Sequence, residues 1–197
     1  MNTTANVLLA AGASPVMAHA REEVEEMAAL AGAVVLNIGT LSPPWVEAMR
    51  LAGAAANRCG LPVVLDPVGA GATDYRTVTA RSLASELEIA VIRGNASEIL
   101  SVAGLETATR GVDTAHDVGE AARVGVELAG RLATTVAITG EVDLVTDGAT
   151  VLEVRAGHPL MGRVTGTGCA ATVLVAAFCA VDRNPVAAAA GALAYFG

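Results

Sequence analysis

The run Val164-Thr165-Gly166-Thr167-Gly168-Cys169 passes without a break into an uncharged apolar stretch that ends at Val181. Two glycines one residue apart, where a loop turns into a helix, leave backbone N–H groups unshielded and pointing along the helix axis, which makes an anion site. The helix dipole adds roughly half a positive charge there, so the Gly166, Thr167 and Gly168 backbone would hold a phosphoryl group in transfer without a lysine. Cys169 falls in the first helical turn, facing the same anion. A helix N-terminus is expected to lower its thiol pKa enough for it to act on a proton at neutral pH. Gly-Xaa-Gly before a helix is common, so this motif takes its weight from what accompanies it.

Asp66 closes an apolar run and is followed by Pro67 and a glycine-rich loop, Val68-Gly69-Ala70-Gly71-Ala72-Thr73. Glu98 follows a later run by a similar distance. Two carboxylates without a histidine or cysteine cluster suit a hard cation, magnesium held largely through water. Each also has a plainer reading, Asp66 as a turn initiator and Glu98 as a first-turn residue favoured by the helix dipole. Arg93 is a cation at a strand end, suited either to a transferring phosphoryl oxygen or to a surface ion pair. Thr139-Gly140 offers a hydroxyl and open backbone to a nucleotide phosphate. Met17, with the small residues around Gly12, forms either an apolar wall or part of the core. His158, before Pro159, fixes a loop rather than catalyses. No Walker-type lysine motif is present, which excludes the P-loop route, and no Gly-Xaa-Gly-Xaa-Xaa-Gly follows the first strand.

These residues must be positioned by a recurring pattern. Ala5 to Ala13 is small and apolar and breaks at Gly12-Ala13-Ser14-Pro15. An acidic helix is predicted over Arg21–Ala31 with Val24, Met27 and Leu30 on one face. Buried strands are predicted at Ala33–Ile38, Leu61–Leu65, Ile89–Ile92 and Thr135–Ile138. Helices are predicted from Pro43 to the Gly60 stop, over Tyr75–Leu87, to Ala103, and over Ala115–Leu132. Leu144–Thr146 and Val151–Val154 form a hairpin around Asp147-Gly148, and the helices Gly166–Val181 and Pro185–Phe196 follow. Alternation of strand and helix implies an α/β fold with a mostly parallel sheet, and ligands bind where such strands end. Gly39, Asp66, Arg93, Glu98 and Thr139 would then share one cleft with the glycine loop.

Composition narrows the classes. The chain has 197 residues, enough for one domain, and its 53% hydrophobic content includes only 3% aromatics. A core of Ala, Val and Leu suits helices packed on a parallel sheet. A net charge of −8 and no basic run argue against nucleic acid or an anionic membrane surface. Three cysteines without close pairing point to a reducing compartment, the cytoplasm. No basic stretch precedes an apolar run at Met1-Asn2-Thr3-Thr4, so no secretory signal is expected. The uncharged stretch 164–181 reads as a buried helix rather than a membrane span.

Asn6–Met17, Asn37–Leu41, Asp66–Thr73, Arg93–Glu98, Gly111-Val112-Asp113, Thr139–Asp143 and Gly166–Cys169, in this order along nearly the whole chain, resemble hydroxyethylthiazole kinase, a ribokinase-like enzyme of thiamine salvage. The cysteine closing the glycine loop is specific, since most ribokinase-like kinases carry aspartate there. The resemblance implies one ribokinase-like domain over residues 1–197, a three-layer sandwich with helices on both faces of the sheet. It implies transfer of the ATP γ-phosphate to the primary alcohol of 4-methyl-5-(2-hydroxyethyl)thiazole with Mg2+. Met17 and Gly166 would contact the thiazole, with Gly39 counted in the same pocket. Arg93 and Thr139 would contact ATP, Asp66 and Glu98 would hold the metal, and Cys169 would lie beside the substrate hydroxyl. A homotrimer with sites between subunits is implied as well. The family normally carries a further strand before Met1 and more helix after Gly197, so the domain is expected to be incomplete at both ends. The alternatives are another small-alcohol kinase of the hydroxymethylpyrimidine type and a non-catalytic nucleotide or thiazole binder.

Overall fold

The structure is a computed structural model that describes residues 2–105 and 115–197, the side chains of 115–118 apart. Gly111-Val112-Asp113 therefore lies outside the described residues. Short β-branched runs form β1 (Val34–Asn37), β2 (Val63–Asp66), β3 (Val91–Asn95) and β4 (Thr135–Thr139), which pair in that order and in parallel. The hairpin β5 (Asp143–Thr146) and β6 (Val151–Val154) adds two antiparallel strands beyond β4. Asp147 Oδ1 shapes its turn by accepting from the amides of Ala149 and Thr150. Helices α1 (Asn2–Ala10), α2 (Val24–Leu30), α3 (Pro43–Arg58), α4 (Asp74–Glu86), α5 (Ala96–Ala103), α6 (Ala115–Leu132), α7 (Thr167–Cys179) and α8 (Pro185–Phe196) cover the sheet.

Side chains alternate across a strand, and the strand residues divide between two cores accordingly. Leu36, Val63, Leu65, Ile92, Val136 and Ile138 pack against α2 to α6. Val64, Val91, Ala137, Val145 and Val154 pack against α7 and α8, with Val7 of α1 alongside. The small residues of α7 and α8, buried at Ala171, Ala176, Ala188, Ala189 and Ala192, let these helices lie close to the sheet and to each other.

Two expectations change. The third strand does not stop before Arg93: it runs to Asn95, because Arg93, Gly94 and Asn95 pair with Ala137, Ile138 and Thr139. Arg93 is thus a buried strand residue rather than a loop cation or a surface ion pair. The acidic helix is shorter than Arg21–Ala31, and its inner face is Val24 and Ala28, four residues apart. Met27 is half-buried, and Leu30 is turned out to solvent at 81% exposure.

Candidate functional site

Period two decides which polar residues meet. Asn37, Asp66, Arg93 and Thr139 each stand two residues after Val35, Val64, Val91 and Ala137, whose side chains pack on the α7 face. All four therefore project from that face near the carboxyl ends of four adjacent parallel strands. The register sets Asn37 beside Asp66 and carries Asp66 level with Arg93, since Leu65 pairs with Ile92, while Thr139 stands two residues beyond Ala137, the partner of Arg93. The N-terminus of α7 lies against this row.

Asp66 is fully buried. Its Oδ2 accepts from Asn37 Nδ2 at 2.8 Å and from the Thr172 hydroxyl at 2.8 Å. Its Oδ1 accepts no hydrogen bond among the described residues and faces Arg93 Nη1 at 3.9 Å. Asn37 Nδ2 also donates to Cys169 Sγ at 3.2 Å. Arg93 Nη2 donates to the Thr139 hydroxyl, and Arg93 Nε has no hydrogen-bond partner among the described residues.

Helix α7 opens on Gly166, whose left-handed φ of +84° is one that a side chain would strain. The first helical bond is Ala170 N–H to Gly166 O, so the amides of residues 167–169 precede any helix carbonyl they could reach. At Gly168 the need for glycine is a close approach: a Cβ there would stand 2.7 Å from Arg93 Nη1. Arg93 thus lies directly beneath the helix N-terminus, adding a full charge to the dipole. Thr167 contributes only its backbone to this end, because its hydroxyl is spent on the carbonyls of Met161 and Val164.

Glu98 realises its first-turn reading in full. It forms a capping box with Asn95, Oε2 accepting from the Asn95 amide at 2.9 Å, while Oε1 accepts from Gly69 N–H at 2.8 Å. It therefore ties the glycine-rich loop after Asp66 to the end of β3. A magnesium ion fits this donor set through water: Asp66 Oδ1 is an orphaned buried oxygen, and each Glu98 oxygen keeps one lone pair beyond its single amide bond.

Burial raises the Asp66 pKa to about 6, against Arg93 and Thr172, which lower it, and Glu98, which raises it further. Arg93 does not cancel the burial because it approaches at ion-pair rather than hydrogen-bond distance. The expectation of an acidified Cys169 is overturned. The thiol is half-buried beside the Asp66 carboxylate, and desolvation followed by that charge pushes its pKa up, outweighing Asn37 and Arg93. At neutral pH Cys169 is a thiol.

Gly39 stays with the cluster through its amide, which donates to Asn37 Oδ1 at 2.8 Å. Met17 does not pack as core: it sits 45% exposed on the loop before α2. His158 Nδ1 accepts from Leu160 N–H and fixes the turn Pro159–Arg163. Sequence alone brings the Asn37 loop to the cleft but assigns its side chain no role, and it assigns none to Thr172. The signals were an asparagine closing an apolar strand, and a threonine one helical turn beyond Gly168. A separate cavity, lined by Asn57, Glu88, Cys179, Asp182 and Arg183, opens at the opposite, amino-terminal edge of the sheet and shares no residue with this cluster.

A sequence model of the Hydroxyethylthiazole kinase family matches residues 1–197. The chain is 59% identical over 197 residues to a hydroxyethylthiazole kinase of Desulfotalea psychrophila, covering all of this chain and 72% of that protein. It is 56% identical over 196 residues to one of Moorella thermoacetica, covering all of this chain and 73% of the relative. Among solved structures, the hydroxyethylthiazole kinase protein of Pyrococcus horikoshii is similar at a TM-score of 0.88 and 49% identity, over 98% of this chain and 72% of that one. A pyridoxal kinase of Staphylococcus aureus, solved with AMP-PCP and pyridoxal, shares the ribokinase-like fold at a TM-score of 0.61 and 19% identity, over 89% of this chain and 64% of that one.

Proposed function

The chain belongs to the hydroxyethylthiazole kinase family, and on that premise we propose how its cleft moves a phosphoryl group from ATP to the primary alcohol of hydroxyethylthiazole, a step of thiamine biosynthesis. The amides at the start of α7, from Gly166 to Cys169, receive the oxygens of the transferring group, and the guanidinium of Arg93 beneath Gly168 balances their charge. Thr139, bonded to Arg93, lies on the nucleotide side. The thiazole alcohol lies on the Gly39 and Gly166 side, with its hydroxyl toward Cys169. Met17 completes the thiazole pocket from its exposed loop.

Asp66 and Glu98 hold Mg2+ largely through water, and the ion supplies positive charge against the polyphosphate. Being a thiol, Cys169 positions the hydroxyl rather than serving as its base. As the bond from the alcohol oxygen to phosphorus forms and the bond to ADP breaks, the hydroxyl proton leaves late, to an oxygen of the transferred phosphoryl group, because a loose transition state asks little of a base. Positioning and charge stabilisation lower most of the barrier. The protein works in the cytoplasm as a homotrimer with sites between subunits; among the described residues no helix is long and apolar enough to cross a membrane.

The observation that carries this reading is the meeting of Asp66, Arg93 and Thr139 with the bare N-terminus of α7. Incubation with ATP, Mg2+ and the thiazole alcohol should yield the phosphate ester, and the Asp66→Ala variant should not. Thiazole binding by calorimetry with no ester formed would refute the reading in favour of a silent binder.

A further inference from the structure

Asn37 makes three hydrogen bonds with one carboxamide. Its Oδ1 accepts from the Gly39 amide at 2.8 Å, which assigns the oxygen and leaves both Nδ2 hydrogens for the other side. Those two go to Asp66 Oδ2 at 2.8 Å and Cys169 Sγ at 3.2 Å. The lock depends on residue 39 being glycine, since a Cβ there would stand 2.8 Å from Asn37 Oδ1. Thr172, itself fully buried, occupies the remaining approach to Asp66 Oδ2. One carboxylate oxygen is thereby saturated and the other, Oδ1, is left as the free one.

We propose that Asn37 is a positioning residue of the transfer site: its carboxamide, locked by the Gly39 amide, holds the Asp66 carboxylate and the Cys169 sulfur as one unit. It needs no contact with ATP or the thiazole to act. This rests on the kinase reading above, since the unit it holds is the one assigned to metal and substrate hydroxyl. Asn37 bridges two groups 103 residues apart in the chain, so its removal leaves the Asp66 carboxylate held at Oδ2 by Thr172 alone and the Cys169 sulfur without its N–H partner.

The test is a double-mutant cycle on the full chain with Asn37→Ala, Cys169→Ala and the pair, each checked for native circular dichroism. Asn37→Ala should lower kcat roughly 30-fold while KM for the thiazole alcohol stays within about threefold. In the Cys169→Ala background the same substitution should cost less than about fivefold, because one of the two groups it held is gone. Equal losses in both backgrounds, as simple destabilisation would give, overturn the proposal, as does an unchanged kcat.

A second measurement does not depend on activity. Asn37→Asp is isosteric and sets a carboxylate against the sulfur in place of an N–H. Iodoacetamide should then modify Cys169 at least about fivefold more slowly, while exposed Cys59 keeps its rate in the same sample. An unchanged Cys169 rate overturns the proposal. A wild-type protein that forms no ester refutes the kinase reading instead, and the alkylation result then decides the role of Asn37 alone.

Discussion

Replacing Asp66 by asparagine tests the electrostatics of the site through stability rather than turnover. The folded protein holds the Asp66 proton more tightly than the unfolded chain, since its pKa rises from 3.8 to about 6. Between those values the native state binds more protons, so stability falls as pH rises through the window. The contribution is fully present below pH 3.8 and lost above about 6. A rise of about two units at about 1.4 kcal/mol each amounts to about 3 kcal/mol. Other carboxylates titrate nearby, Asp143 raised by burial and Glu86 and Asp147 lowered by their hydrogen bonds. The raw curve is therefore a sum, and the difference between Asp66→Asn and wild type isolates one group.

At low pH wild-type Asp66 is neutral, like the amide, so any offset there measures only shape and hydrogen bonding. As pH rises to 7.5 the variant should gain about 3 kcal/mol relative to wild type, read from urea unfolding followed by circular dichroism at fixed ionic strength. Added Mg2+ favours the ionised carboxylate and should flatten the wild-type curve while leaving the variant unmoved. A difference that stays flat within about 0.5 kcal/mol from pH 4 to 7.5 would show that Arg93 cancels the burial of Asp66, and the reasoning would fail.

Cys169→Ser should lower kcat by about tenfold yet leave easily measured activity, whereas Asp66→Ala should cost about a thousandfold or more; a serine variant as inactive as the alanine variant would give the thiol a larger part in proton transfer. Gly168→Ala adds a helix-favouring residue worth about 1 kcal/mol but displaces the Arg93 guanidinium, which a Cβ would approach to 2.7 Å. Its melting temperature should hardly move while kcat/KM for ATP falls about tenfold or more, and retained activity would remove Arg93 from the anion site. Glu98→Gln turns one of two amide acceptors into a donor facing an N–H, and should cost about 1–2 kcal/mol in thermal unfolding. It should also raise the Mg2+ concentration for half-activity about tenfold; an unchanged Mg2+ requirement would leave Glu98 only its work on the loop.

Much of this architecture is written in local chemistry. Short runs such as Val63–Leu65 and Thr135–Ile138 bury both faces and so read as central strands, while Pro43-Pro44 and Asn184-Pro185 mark helix starts. The loop Gly166–Cys169 announces its helix because only glycine accepts the φ at residue 166. The mostly parallel sheet follows from the alternation of strands and helices, and with it the edge where the polar residues gather. Period-two parity alone sends Asn37, Asp66, Arg93 and Thr139 to one face.

What sequence could not decide is how groups far apart in the chain bear on one another. Residue type made Arg93 a cation at a strand end, but pairing across β3 and β4 kept it in the strand and buried it. A helix N-terminus argues for an acidic thiol; burial of the Cys169 thiol, and then the Asp66 carboxylate beside it, reversed the sign. Glu98 was legible as a first-turn residue, yet only the approach of Gly69 showed that it also fastens the loop behind Asp66. Local sequence sets propensity and facing, which depend on neighbours a few residues away, whereas charge state depends on which distant groups share a volume from which water is excluded.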